Sequence, residues 1–480
     1  MATHLTLLGL GLLAGSANAV KSYANDWIDP GYIVNKSWNL SAAGAEETII
    51  SWAQQSAAYG PWSVLNKPAT PPTGDKRDFM SWAPYWWPDC SQAENTTELP
   101  PSEIYTDCTY VRRDGVFNPD YRILTDAQSF QNMSDSVLYN VLAYAITDDA
   151  KFADSAVSFI DTWFLSQETG MKPNLDYAQM IRGVGRSVGS PTGVLDLKGM
   201  TKIASSVMIL RSMKAPQWTV ERDNGLNDWA RQYINWLQTA ELALRERAAA
   251  NNHGTYYFNQ LGAIQLMIGD FTGARGTIMD FLGGIYQGQI EANGEQPLEA
   301  VRTRPYHYRA YNLAGMITNI RILAQADPSV LPAIWHTPSA SGGTIQTALD
   351  FAIAGGCPSN EADYASELFP SIGALASALG QGGDGKYAAF LSGAEPDYPH
   401  EAWFLWNQPL WDSGFTGKNQ LKDEEESSEG GTDTKGGSVT TQDQGDKEIE
   451  LESAAGRTIL SRVLMSFGVT VSVLAAISWS

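Results

Sequence analysis

The chain has 480 residues, 43% of them hydrophobic, a globular composition with room for two or three ordinary domains or one large helical barrel with appendages. Its 32 basic and 53 acidic residues give a net charge of −21, which argues against a nucleic-acid partner but not against an anionic substrate held by a local arginine cluster. Three cysteines without a CxxC exclude a disulfide scaffold and a cysteine-based zinc site.

Residues 1–19 read as a secretory signal: an apolar stretch from Leu5 to Ala14, then the small-residue site Ala17-Asn18-Ala19. Four N-x-S/T sequons, at Asn35, Asn39, Asn95 and Asn132, are candidate glycosylation sites of a secreted chain. From residue 20 to 417 the apolar positions step mostly at helical intervals. A helix is predicted over 43–57. Residues 66–122 lose that periodicity and read as a long functional loop carrying Ser81-Trp82-Ala83-Pro84-Tyr85-Trp86-Trp87-Pro88-Asp89. Cys90 and Cys108 could close a disulfide across it in an oxidising compartment, leaving Cys357 unpaired.

Further on, Val137, Val141 and Tyr144 mark one helical face, and Phe152, Ala156, Phe159 and Trp163 a second. Residues 171–196 are Gly-rich but hold no phosphate-binding glycine motif. Trp229, Tyr233 and Trp236 mark another face, and more helices are predicted near 198–213, 255–269, 274–291, 307–325, 343–354 and 362–380. Few stretches alternate with period two, so no sheet is indicated. The expected class is all-α, with paired helices forming an α/α toroid.

Residues 418–456 hold four Lys against eleven Asp and Glu among small polar residues, a disordered acidic stalk. Residues 457–480 end the chain with an apolar run from Val463 to Ile477, short for a membrane span of about 20 residues. Ser453-Ala454-Ala455-Gly456 precede that run, so the tail reads as a lipid-anchor (GPI) attachment signal. The expected location is extracellular, anchored at the cell surface, with the protein a monomer.

Five histidines occur: His4, His253, His307, His336 and His400. No HExxH and no GxSxG is present, which removes a helix-borne zinc site and weakens a serine esterase. Asn251-Asn252-His253-Gly254 precedes a helix-like run, and locally Asn252 reads as its cap and His253 as structural. Arg302, Arg304 and Arg309 lie among Tyr306, His307, Tyr308 and Tyr311, a basic aromatic cluster in an acidic protein. Arginines of this kind bind carboxylates bidentately, or simply pair with nearby Glu and Asp at a solvated helix start.

The segments SWAPYWWPD, YVRRDGVFNP, NLDYAQ, NNHG and RTRPYHYRAYNL, five blocks in the family's order over roughly 60–380, resemble the alginate-lyase-type polysaccharide lyases. The resemblance implies an incomplete barrel of helical hairpins around a substrate cleft. It implies β-elimination on a uronic-acid polysaccharide, glucuronan in preference to alginate, with no metal or cofactor. In such a reaction a base removes the C5 proton, the neutralised carboxylate stabilises the enolate-like intermediate, and an acid protonates the leaving 4-oxygen.

By this resemblance Asn252 would hydrogen-bond the uronate carboxylate, and His253 would neutralise it or act as base. Tyr308 would be base, acid or both, and Arg302 would steady the carboxylate, with Arg304 the alternative. Arg302, Arg304 and His307 would supply the positive charge that lowers the Tyr308 pKa. Trp82, Tyr85, Trp86 and Trp87 are candidate sugar platforms, Arg112 and Arg113 candidate contacts to flanking uronates, and Tyr177 and Gln179 candidate cleft residues. Asp176 would orient an arginine or cap a turn. Two other readings compete. One is an inverting glycoside hydrolase on Asp176 and Glu299, and the other is a catalytically inactive wall-polysaccharide-binding protein.

Overall fold

The described residues of the computed structural model are 20–24, 27–92, 99–379 and 385–408. The signal (1–19), most of the stalk boundary, the stalk (418–456), the tail (457–480) and the Asn95 sequon lie outside them.

The longer helices follow the apolar spacing. Helix α1 (Ala43–Ala57) buries Ala45, Ile49, Trp52, Ala53 and Ser56, a single stripe. Helix α2 (Asp126–Thr147) is buried over every residue from Met133 to Ala143, because it packs against α1, against α3 (Ala150–Ile160) and against α4 (Met200–Ser212). Asp149 starts α3 by accepting the Lys151 N–H at 3.1 Å. After α5 (Val220–Thr239), capped by Thr219, come α6 (Asn252–Met267) and α7 (Phe271–Gly283), the latter capped by Asp270. Helix α8 (Pro305–Ala326) is the second long buried helix. It is followed by α9 (Ile345–Gly355), which opens on a Thr344–Thr347 capping box, and by α10 (Phe369–Leu379).

Contacts run from α1 to α2, α4, α6, α8 and α10 in turn, and the short helix Ala402–Trp406 touches both α10 and α1. The helices α3, α5, α7 and α9 pack on members of that series. This is an α/α toroid. Trp27, Trp38, Trp52, Trp163 and Trp403 are buried in its core, so much of the tryptophan content serves packing.

Helices α6 and α8 approach closely where Gly315 faces Thr255: a Cβ on that glycine would stand 2.9 Å from the Thr255 methyl. Polar bonds fix their register. The Thr255 hydroxyl donates to the Asn312 side-chain Oδ1 at 2.8 Å, and the Asn259 amide donates to the Gly315 backbone carbonyl at 2.9 Å.

Two small sheets correct the expectation that none is present. Strand β1 (Met80–Trp82) pairs in parallel with β4 (Tyr177–Met180), and β2 (Trp86–Asp89) pairs antiparallel with β3 (Thr109–Arg112). Strands of three or four residues are too short to show an alternating pattern. The segment 66–122 is therefore no plain loop; it also holds the short helix Pro101–Asp107. Cys90 and Cys108 are disulfide-bonded one pair beyond Asp89 and Thr109, so the bond closes the β2–β3 hairpin. Met80 is tied to the toroid by donating its N–H to Asp126, whose carboxylate pairs with the sealed Lys67 ammonium at 2.9 Å.

Among the sequons, Asn39 is corrected. It is 3% exposed and its side chain accepts the Ser41 N–H at 3.0 Å, so the fold leaves it no room to carry a glycan. Asn35 is exposed, and Asn132 sits half-buried on α2, where its side-chain oxygen accepts from Gln128. Among the described residues no helix is long and apolar enough to cross a membrane, and no group of His, Cys, Asp and Glu could hold a metal.

Candidate active site

The first turn of α6 and the first turn of α8 supply the residues that the sequence singles out. Asn251, not Asn252, is the residue before α6. Gly254 is required at the next position: a Cβ there would stand 2.1 Å from the Ala249 carbonyl oxygen. The backbone folds back on itself at this point, and His253 is brought to the short helix Glu241–Arg247. Its Nδ1 lies 2.7 Å from Oε1 of Glu246, whose side chain is almost sealed from solvent. A carboxylate there accepts the Nδ1 proton and leaves the Nε2 lone pair as the reactive side of the ring.

Asn252 is 1% exposed and turned inward. Its backbone N–H donates to Glu299 Oε1 at 2.8 Å and its amide to Glu299 Oε2 at 2.7 Å. Glu299 is fully buried, on the helical turn Pro297–Ala300. Burial raises its pKa, opposed by the two Asn252 donors, the Arg302 charge and His253. Asn252 is thus neither a cap nor a group presented to solvent.

Arg302 joins this end to Tyr308. Its Nη1 is 3.9 Å from Glu299, and its Nε and Nη2 donate to the two oxygens of Asp114 at 3.1 Å each. The guanidinium carbon lies 3.6 Å from the centre of the Tyr308 ring, a stacked cation–π contact. Asp114 also accepts from Arg112 at 2.8 Å. Burial pushes its carboxyl up, but Arg302 and Arg112 outweigh that and hold it below its ordinary value. Gly115 follows at φ +69°, and a Cβ there would stand 2.1 Å from the Thr303 hydroxyl, so an Asp-Gly turn is what seats the β3 end on residues 302–303.

Tyr308 is 6% exposed, with its hydroxyl 3.0 Å from that of Tyr85. Burial, then the Tyr85 bond, drive its pKa up, and Arg302 opposes them only in part. The expectation of a lowered phenol pKa is therefore overturned. Of its three proposed suppliers of charge, only Arg302 stacks on the ring. Arg304 donates to the Tyr364 hydroxyl at 2.5 Å, and His307 Nδ1 bonds Glu367 at 2.6 Å. The third arginine of the cluster, Arg309, is paired bidentately with Glu295.

The other candidates divide. Trp82 is buried, tilted against Tyr105 and covered by Arg182, and so is no sugar platform. Trp86 and Trp87 are half-buried on β2, with the Arg113 guanidinium 5.1 Å from the Trp87 ring centre. Arg113 itself is exposed. Gln179 adopts φ +46° and donates to Asp196 at 2.7 Å, tying β4 to α4's approach, while Tyr177 is half-buried beside it. Asp176 is exposed and accepts from the Trp236 indole rather than from an arginine. With Asp176 on the surface and Glu299 sealed behind Asn252, the pair required by the hydrolase reading is not formed.

Sequence reasoning missed Asp114, Glu246 and the part played by Glu299. The Asp-Gly pair after Arg112-Arg113 signalled a turn, but nothing local pointed to Arg302.

A family model described as alginate lyase matches residues 63–361, more than half of the chain. The chain belongs to the alginate lyase family. The solved structure of an alginate lyase from Bacteroides ovatus is 28% identical with a TM-score of 0.68, the match covering 82% of this chain and 99% of that one. Alginate lyase A1-III from Sphingomonas species A1 is 14% identical with a TM-score of 0.41, over 76% of this chain and 90% of that one. No curated protein matches significantly. This member of the alginate lyase family is a polysaccharide lyase on an α/α toroid, which sets aside both the hydrolase and the inactive binding protein.

Proposed function

We propose that the enzyme cleaves a uronic-acid polysaccharide, of the glucuronan or alginate kind, by β-elimination between Tyr308 and His253. The supporting observation is the chain of contacts His253–Asn252–Glu299–Arg302–Tyr308, which links an imidazole and a phenol through one guanidinium. His253 Nε2, with the Nδ1 proton held by Glu246, takes the C5 proton. The C5–H electrons form the C4–C5 double bond, the C4–O4 bond breaks, and O4 takes the Tyr308 proton. A phenol whose pKa is raised keeps that proton at neutral pH, which suits it to the donor role. The Arg302 charge lowers the cost of the dianionic intermediate in a water-poor setting. Asn252, with its amide engaged by Glu299, positions the start of α6 rather than the sugar acid. Solvent then returns the proton from imidazolium to phenolate.

Incubation with glucuronan, polymannuronate and polyguluronate, read as ultraviolet absorbance of the unsaturated end, tests this and selects the polymer. Absence of absorbance with every uronan rejects the reading. Extracellular action and a C-terminal lipid anchor complete the proposal, supported by the apolar start, the acidic stalk and the apolar end of the sequence, and a monomeric state is proposed with them. Release from intact cells by a phosphatidylinositol-specific phospholipase tests the anchor, and light scattering tests the monomer.

A further inference from the structure

Helix α8 carries more than the reacting phenol. Its face at His307, Ala310, Tyr311 and Ala314 lines a cavity of about 550 Å³. The His307 ring centre lies 4.8 Å from that of Tyr308 and 5.9 Å from that of Tyr311, so the cavity begins one ring away from the proposed proton donor. Side chains three residues apart on a helix stand about 5–6 Å from each other, comparable to the span of one sugar ring. The opposite wall is the segment Lys21–Ala24. Glu401 holds it through Lys21 and Tyr23, and Tyr139 holds it by donating to the Lys21 carbonyl at 2.6 Å.

Between these walls stands Lys198. It lines this cavity and a smaller one of about 140 Å³ beside it. Its ammonium donates to the Tyr311 hydroxyl at 3.1 Å and lies 4.9 Å from that ring's centre. The other cations of the wall are already matched: Lys21 by Glu401 and His307 by Glu367. The carboxylates that act on Lys198 from a distance are engaged elsewhere. Asp196 is held by Ser81 and Gln179, and Asp135 by Lys202. Among the described residues Lys198 makes no ion pair of its own. An ammonium that faces a cavity without a direct ion pair is a receptor for an anion. Of the other carboxylates of the wall, Asp363 is exposed and Glu395 half-buried.

We propose that Lys198, steadied by Tyr311, binds the carboxylate of the uronate next to the sugar being cleaved, in a subsite closed at its far end by residues 21–24. This rests on the uronan lyase reading. The subsite makes a bound chain register its acid groups twice, once near Arg302 and once at Lys198.

The test uses glucuronate and mannuronate oligomers of two to six residues, with initial rates by ultraviolet absorbance. Lys198→Gln is expected to raise KM roughly 10-fold for oligomers long enough to fill the subsite, with kcat falling less than 3-fold, as for one lost hydrogen bond between charged groups. Lys198→Arg is expected to restore most of the affinity, and added salt to narrow the gap between wild type and Lys198→Gln. A KM rise that is the same for every length, or none, overturns the subsite while leaving the lyase reading intact. No cleavage or binding of any oligomer by the wild type overturns both. If Lys198→Gln does not fold, Tyr311→Phe keeps the ring and removes the tether. A smaller length-dependent rise in KM then supports the proposal, and a length-independent result overturns it.

Discussion

The first turns of α6 and α8 are built on one plan. Each has a buried glutamate accepting backbone N–H groups at the helix start: Glu299 at Asn252, and Glu361 at Tyr306 and His307. Each also has a histidine whose Nδ1 meets a second glutamate, His253 with Glu246 at 2.7 Å and His307 with Glu367 at 2.6 Å. The difference lies in the second glutamate. Glu246 has 3% of its side chain exposed and Glu367 has 36%. A sealed carboxylate holds its histidine in one tautomer with little screening, whereas a half-exposed one is screened by water and its bond is worth far less. Local geometry alone would rank the two histidines equal; burial separates them, His253 adjoining the Glu299 end of the Glu299–Arg302–Tyr308 chain through Asn252 and His307 its Tyr308 end.

The largest effect is expected at α8. Tyr308→Phe should lower kcat by about 10³-fold, in the range for loss of a general acid, while the variant still binds oligosaccharide in calorimetry. Full turnover in this variant would remove the phenol from the reaction. The next effect contrasts the two glutamates. Glu246→Gln should cost roughly 100-fold in kcat because it disturbs the tautomer of His253, whereas Glu367→Gln should cost no more than about 3-fold. Equal losses would erase the distinction between the helix starts.

The Glu299 cap makes stability depend on pH. Burial raises the Glu299 pKa above its unfolded value, so its protonated form is favoured by the fold. Its contribution is fully present below the unfolded pKa of about 4.3 and is lost as pH climbs toward the folded one. Denaturant titrations across that window should show wild type losing stability relative to Glu299→Gln as pH rises; the opposite slope would mean the carboxylate is stabilised in its charged form. The smallest effect is at the other cap. Glu361→Gln weakens the charge-assisted bonds to two N–H groups and should cost about 1 kcal/mol in the same titration at neutral pH.

The helices were largely legible. The expected 43–57 coincides with α1, and 307–325 lies within α8, because i, i+3 and i+4 spacing reflects a local geometry that burial then selects. The strands were not, since β1 finds its partner near residue 177 and neither strand alternates long enough to announce itself. At the site, the identities of His253, Tyr308 and the arginine cluster could be read, but not which arginine meets the phenol. Arg302 is chosen by Asp114, which is 188 residues away in sequence, and Arg304 is drawn off by Tyr364 on a different element.

The order of residues by itself determined the helical class, the cysteine pair that could bond, and the set of groups capable of moving protons, because these depend on side-chain chemistry and near-neighbour spacing. Only the tertiary structure decided which of those groups are sealed, which charges are already matched and which face a cavity. Solvation and ion pairing depend on distances through space, and here the deciding partners come from segments far apart along the chain.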